Sequence, residues 1–541
     1  MKLTKLLMAT TVLAAAIAAP ASAQVLSGRV GGSSGSGPSA DALKSYLGEQ
    51  SKSALTQSVL DRLTTPDASS VPALGNAKDR VKFWHSVMLD TNAIDHTQTT
   101  GLVPEQLGPT RTSRAFAMVQ IAVFDALNSF NKPFVPYNNI GETNNASREA
   151  AVSYAAHKVL VTLYPRQQAR LDALLASDVA QIVDSQPTIN RGRDAGLAAA
   201  NAMIAARAND KSDDPEPVFG GGGRVGSGKK GVDGGNINDG TRNLFEWEPD
   251  PVGATGEGPI ALGAFWGGVK PFILQRGDQF RAPPPPAPGT ARYRNAHNQV
   301  ASLGGAPDLP GFPGNDEIIS TATDATRFIG NYWGYDAVPL LGVPPRLYAQ
   351  IAEQVGVAQG QMNAVELARY LAMIQVVQAD SGIAAWDSKY FYNYWRPVTG
   401  VRREDGVPGT IHEADWEPVG VSVINTTSPI RATPPFPAYP SGHATFGASI
   451  FAVMEQFFGS ETPFTFVSDE YNGLGTDPFT PGTPRPLVPV RYQNFDEAAA
   501  ENGVSRIFNG VHWNYDDSEG QRIGRRIARY LKNEVTAFQP R

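Results

Sequence analysis

Apolar residues recur at a helical period along most of this chain, and alternating, strand-like patterning is hard to find anywhere in it. A chain patterned this way buries stripes rather than sheet faces, so it closes a core by packing helix against helix. The period runs through residues 112–130, 148–163, 166–182 and 191–208, with a break at Pro165. It resumes at 291–303, 317–333, 345–355, 364–394, 443–458 and 495–538. Between the two groups lies a long irregular stretch containing Gly220 to Gly223, Gly226, Gly228, Gly231, Gly234, Gly235 and Pro283 to Pro286. Gly223, Gly228 and Lys229 superficially match a phosphate-binding loop. Lys230 stands where that loop needs Ser or Thr, however, and no hydrophobic strand precedes it.

The expected fold is all-α: two helical bundles joined by a long Gly/Pro-rich crossing. Its expected divisions are 1–23 (signal peptide), 24–77 (Gly/Ser-rich extension with a short helical patch at 40–63), 78–208 (N-terminal bundle), 209–288 (crossing) and 289–541 (C-terminal bundle). The signal-peptide reading rests on Lys2 and Lys5, an apolar run over 6–19, and Ala21-Ser22-Ala23 before Gln24. It implies export, to a periplasm or to the medium. That run is too short to anchor the chain, and no other segment is long and apolar enough to span a bilayer. With 46 Lys plus Arg against 52 Asp plus Glu, the net charge is −6, which argues against a nucleic-acid binder. Zero Cys excludes disulfides, thiolate metal sites and cysteine nucleophiles.

Three blocks in the C-terminal half carry chemistry. The first is Lys389 and Arg396, followed by Pro397. On one helix a spacing of seven is almost two turns, so the two cations share a face. Alone, the pair also reads as a solvated cationic face, although Trp386, Tyr390, Phe391 and Trp395 crowd around it. The second is Pro440-Ser441-Gly442-His443, which opens an apolar helix. Ser441 stands at the capping position, free amides there favour an anion, and His443 is close enough to exchange a proton with it. Four such residues equally describe an ordinary cap followed by a buried histidine.

The third is Ser505, Arg506, Asn509, His512 and Asp516, a polar stripe beside Val504, Phe508 and Val511 if one helix carries them all. Asp516 then lies one turn past His512, where a carboxylate can hold the second imidazole nitrogen. Together the blocks supply three cations, a helix start and two histidines, which suits an oxyanion of about two to three negative charges. His85, His96, His157, His297 and His412 read as structural or exposed. His412-Glu413 lacks the second histidine of a zinc-protease helix, so the sequence suggests no zinc.

In order and spacing the three blocks resemble the vanadium-dependent haloperoxidase and acid-phosphatase superfamily. The text around 436–447 and 505–513 resembles its chloroperoxidase branch, as do Tyr332 to Asp336 and Pro344 to Tyr348 upstream. The likeness spans roughly the C-terminal half. It implies vanadate as cofactor, without haem or zinc, and His512 as the ligand to vanadium. It implies that Lys389, Arg396, Ser441, Gly442 and Arg506 hold the vanadate oxygens, and that Asp336 pairs with Arg506. His443 would handle the protons of hydrogen peroxide, and Lys389 would polarise the bound peroxide. Trp386 and Phe436 match positions beside the chloroperoxidase halide site, though both equally read as core packing. Bromoperoxidases typically carry His at the Phe436 position.

The implied function is oxidation of chloride or bromide by peroxide to hypohalous acid, which halogenates a small organic acceptor. A phosphatase working through a phosphohistidine at His512 would use the same constellation, because phosphate and vanadate have nearly the same shape and charge. A non-catalytic oxyanion-binding protein is a third reading, disfavoured by the presence of both His443 and Asp516. The number of subunits is left open.

Overall fold

A computed structural model describes residues 71–97, 103–217, 219, 244–250, 260–308, 318, 320–359, 361–426, 431–479 and 483–541. The signal-peptide reading and the helical patch at 40–63 lie outside these residues. The first helices are α1 (Ala77–Asp95), α2 (Gly108–Asn128), α3 (Arg148–Leu163), α4 (Gln168–Val179) and α5 (Gln186–Ala206). After the crossing come α6 (Ala291–Leu303), α7 (Asp324–Tyr332), α8 (Pro344–Gln359), α9 (Ala364–Tyr392) and α10 (Pro397–Arg402). The chain closes with α11 (Gly442–Phe458), a hairpin of β1 (Phe464–Asn472) and β2 (Leu487–Tyr492), α12 (Phe495–Phe508) and α13 (Asn514–Glu534). The all-α fold expected from the apolar period forms over the described residues, except for this one hairpin. Among the described residues no helix is long and apolar enough to cross a membrane.

The central element is α9. Asn363 and Glu366 start it with a reciprocal capping box, and every residue from Tyr370 to Lys389 is buried. A helix that is buried all round needs neighbours on every side. It packs on α2, itself buried over nearly its whole length, and on α11. One continuous core therefore contains Phe116 and Val119 of α2 together with Ile374 and Val377 of α9. Within the crossing, the described residues form no α-helix, only short 3-10 turns at Trp266–Gly268 and Gly277–Phe280. This segment is tied down: the buried Asp380 carboxylate accepts the backbone N–H groups of Phe272, Ile273 and Leu274 at 2.7–2.8 Å.

α11 and α13 approach closely because α13 carries glycine where they cross. A Cβ on Gly520 would lie 2.6 Å from the Ser441 carbonyl, and one on Gly524 would strike the Thr445 carbonyl. The amide of Ser441 in turn donates to the Asp516 carbonyl at 2.9 Å, joining the two helix starts. Alanine for glycine inside a helix normally stabilises by about 1 kcal/mol. Gly520→Ala is expected instead to destabilise by about 1–3 kcal/mol through overpacking, read as a lower unfolding midpoint. An unchanged or raised midpoint would contradict this contact.

Four expectations need correction. First, 495–538 is two helices, because the chain turns at Gly510 (φ 70°) and α13 restarts at Asn514. The polar stripe from Ser505 to Asp516 therefore does not lie on one helix. Second, α9 stops at Asn393 (φ 47°), so Lys389 and Arg396 do not share a helix, and Pro397 begins α10 rather than ending α9. Third, the segment read as helical over 317–333 is helical only from Asp324, where Thr323 and Thr326 form a capping box. Fourth, an antiparallel hairpin exists, with Phe464 opposite Tyr492 and a register shift between Val467 and Asn472. Its second strand is short, largely unburied and contains Pro489, which weakens any alternating signal. The hairpin has a positional role: Glu470 accepts the Tyr335 amide at 3.0 Å and thereby holds the turn that presents Asp336.

Candidate functional site

The corrected helix ends bring the three blocks together. The last turn of α9 buries Lys389 completely, and its ammonium donates to the carbonyls of Pro437 and Ala438, both at 2.9 Å. An ammonium has three N–H bonds, so one remains to serve an anion. Arg396, at the cap of α10, donates through Nε to the Phe436 carbonyl (3.0 Å) and through Nη1 to the Val511 carbonyl (2.6 Å). Ser441 caps α11, its hydroxyl accepting the Ala444 amide at 3.4 Å. Gly442 is the first helical residue, so its N–H is among those that a helix start leaves without an intrahelical partner.

His512 sits in the turn between α12 and α13. Its Nδ1 lies 2.8 Å from Asp516 Oδ2, the same oxygen that accepts the Trp513 amide at 3.1 Å. The carboxylate thus caps α13 and fixes the imidazole tautomer together. With the proton on Nδ1, Nε2 keeps its lone pair, 3.3 Å from Arg396 Nη1. Arg506 donates through Nη2 to both Asp336 oxygens, at 2.9 and 3.1 Å. Its Nε and Nη1 are buried with no hydrogen-bond partner. Desolvated guanidinium donors left unpaired are costly. Arg506 lines a small cavity together with Asp336, Trp386, Phe436, Gly442, His443 and His512. A bound oxyanion would satisfy those donors, so the residues present fit vanadate or its phosphate analogue.

His443 is held by two carbonyls, Trp333 and Gly334, at 3.1 and 3.0 Å from Nε2. A proton shared with two acceptors sits on Nε2, which leaves Nδ1 as a base. The carbonyl of His443 is gripped by Tyr348 Oη (3.0 Å) and Asn502 Nδ2 (2.9 Å).

The electrostatics agree with an anion site. Burial lowers the Lys389 pKa well below its usual value, and the Arg396 charge lowers it further. Burial, then Arg396, Lys389 and Arg506, hold His512 neutral; burial and then Arg506 do the same to His443. Burial raises Asp336 despite Arg506, and pushes Asp516 up to about 8 despite Lys389. The cations of the pocket repel one another, and an anion bound among them would relieve that repulsion.

Trp386 and Phe436 form one wall, their rings 4.8 Å apart, with the Lys389 ammonium 5.5 and 5.0 Å from the two ring centres. The Trp386 indole N–H is already committed to the Leu262 carbonyl at 3.0 Å. Seven of the eleven residues expected at the site line this cavity, and Lys389, Arg396, Ser441 and Asp516 adjoin those that do. Sequence reasoning missed the carbonyls of Trp333 and Gly334, Asn502, and Ser422, whose amide holds Asp336 at 3.2 Å. It also missed Pro109, a wall residue from the N-terminal half, and Leu262 from the crossing. The hydrogen-bonding groups among these lie 59 to 124 residues from the side chains they hold and leave no local signal.

A mostly helical protein with a buried cationic pocket, a tautomer-fixed histidine and a second histidine is an oxyanion-handling enzyme in outline. Residues 369–539 match the family model described as the VCPO second helical-bundle domain. The chain is 28% identical over 525 residues to the vanadium chloroperoxidase of Curvularia inaequalis, covering 82% of this chain and 80% of that one. By these matches it is similar to the vanadium haloperoxidases, in its C-terminal bundle and along most of its length. Among solved structures, its fold is similar to a bacterial vanadium-dependent iodoperoxidase (TM-score 0.64, 18% identity, 87% of this chain and 100% of that one). It is also similar to the apo-type bacterial vanadium-dependent chloroperoxidase (TM-score 0.57, 18% identity, 83% and 100%).

Proposed function

We propose that this chain binds vanadate in the pocket and oxidises chloride or bromide with hydrogen peroxide, releasing hypohalous acid to a small organic acceptor. The observation that carries this is the pair of buried, unpartnered Arg506 donors in a pocket shared with an imidazole whose Nε2 keeps its lone pair, met only by the Arg396 guanidinium at 3.3 Å. Bound vanadate would supply a Lewis-acidic vanadium(V) that activates peroxide toward halide without changing its own oxidation state. His512 would coordinate it through Nε2. Lys389, Arg396, Arg506, Ser441 and the Gly442 amide would hold its oxygens by charge-assisted bonds preorganised in a dry site. Nδ1 of His443 would take a proton from incoming peroxide.

The test is a comparison on one preparation: peroxide-dependent oxidation of chloride, bromide and iodide by vanadate-loaded protein, against phosphate-ester hydrolysis by vanadate-free protein. Chloride or bromide oxidation supports the proposal. Iodide oxidation alone would overturn the chloride or bromide assignment, and ester hydrolysis without halide oxidation would replace this reading with a phosphohistidine enzyme.

The wall of Trp386 and Phe436 is the proposed halide contact. Phe436→His places a polar ring against Lys389 and is expected to lower the chloride-to-bromide turnover ratio by about tenfold. An unaltered ratio would remove Phe436 from halide selection.

A further inference from the structure

Three side chains outside the oxyanion pocket converge: His297 from α6, and Asp405 and His412 from the loop after α10. One donor atom from each lies within 4.8 Å of the other two. His297 is fully buried, Asp405 nearly so, and His412 is partly exposed. Nε2 of His297 donates to the Gly400 carbonyl at 3.2 Å, so Nδ1 carries the lone pair, and that buried atom has no hydrogen-bond partner. The adjacent Asn298 is committed elsewhere, donating to the Gly409 carbonyl (2.9 Å) and accepting the Ile411 amide (3.0 Å). His412 repeats the pattern. Its Nε2 meets Asp405 Oδ1 at 3.2 Å and Thr410 Oγ1 at 2.9 Å, and its buried Nδ1 is unpartnered.

Asp405 is oriented as a ligating carboxylate is. Oδ1 accepts the Val407 amide (2.8 Å) and the Thr410 hydroxyl (2.9 Å), and Oδ2 accepts the Tyr293 hydroxyl at 2.5 Å. Each imidazole thus keeps one desolvated, unpartnered nitrogen, and a fixed carboxylate stands within 4.8 Å of a nitrogen of each ring, an unusual expense for packing alone.

We propose that His297, Asp405 and His412 form a second metal site, for a divalent transition ion of the zinc class. Two nitrogens and one carboxylate oxygen suit zinc, whereas calcium and magnesium require a mainly oxygen shell. Bonds of about 2.0–2.1 Å place tetrahedral donors about 3.4 Å apart, a modest contraction from the present spacing. The partly exposed His412 supplies both that adjustment and the entry route, and water fills the fourth position. His297 stacks on Trp513 (ring centres 5.5 Å apart, planes 28°), the residue directly after His512. The ion would brace α6, the 405–412 loop and the turn that carries His512. It would take no part in halide chemistry.

The test is equilibrium dialysis of chelator-treated, full-length protein against zinc(II), with metal analysis, repeated with cobalt(II) to read the visible absorption of an N,O-coordinated ion. One tightly held equivalent is expected. His412→Ala should weaken it by about tenfold or more, in a zinc-free protein that still folds, with a lower unfolding midpoint because the Asp405 and Thr410 contacts are lost too; His412→Gln serves if the alanine variant fails to fold. His157→Ala, which alters a histidine paired with Asp172 elsewhere, should leave binding intact. No stoichiometric binding, or binding undiminished in the His412 variants, would overturn the proposal. So would loss of the ion in His512→Ala with retention in the His412 variants, because that would place it in the oxyanion pocket.

Discussion

Replacing His512 by alanine is expected to abolish vanadium retention, with affinity for vanadate falling by more than about 100-fold. The imidazole is the one neutral lone-pair donor that the pocket fixes by a carboxylate: Nδ1 is tied to Asp516 at 2.8 Å and Nε2 is left to coordinate. The cations that remain, Lys389, Arg396 and Arg506, can still attract an oxyanion, so weak electrostatic binding of phosphate or vanadate should survive. Asp516→Asn should be milder, about 10–100-fold, as removal of a ligand's supporting carboxylate usually is. Equilibrium dialysis with vanadium analysis distinguishes these outcomes. Unchanged retention in His512→Ala would refute the ligand assignment.

His443→Ala is expected to separate binding from turnover. His443 is anchored by the Trp333 and Gly334 carbonyls, and its Nδ1 is not needed to hold the oxyanion. Vanadium retention should therefore change little, while peroxide-dependent turnover falls by about 10²–10⁴-fold, the usual worth of a positioned acid or base. The loss should fall on turnover rather than on halide affinity. Retention lost in parallel with activity would show that His443 holds the anion, and unaltered turnover would remove it from proton transfer.

The chemistry of the pocket was legible in the sequence to a greater degree than its geometry. The helical wheel placed Lys389 and Arg396 on one face, but Asn393 (φ 47°) ends the helix between them, and both reach the pocket, from the end of the old helix and the start of a new one. The spacing of His512 and Asp516 suggested the correct hydrogen bond on a continuous helix. The bond forms instead because Asp516 lies in the first turn of a new helix and reaches back to the turn before it. Short spacing constrains two residues whether the backbone is helix or tight turn, which is why the pairing survived the wrong secondary structure. Asp336 and Arg506, 170 residues apart, were paired only through family likeness. The metal-ligating potential of His297, Asp405 and His412 was invisible for the same reason: their proximity is a property of tertiary packing.

The measurement that bears most directly on the central claim is a vanadate titration of vanadium-free protein, following bound vanadium and peroxide-dependent halide oxidation on the same samples. Activity absent at the start, rising in proportion to bound vanadium and saturating at one equivalent per chain, is the expected result. Stoichiometric vanadium bound at this pocket with no oxidation of chloride, bromide or iodide would contradict it.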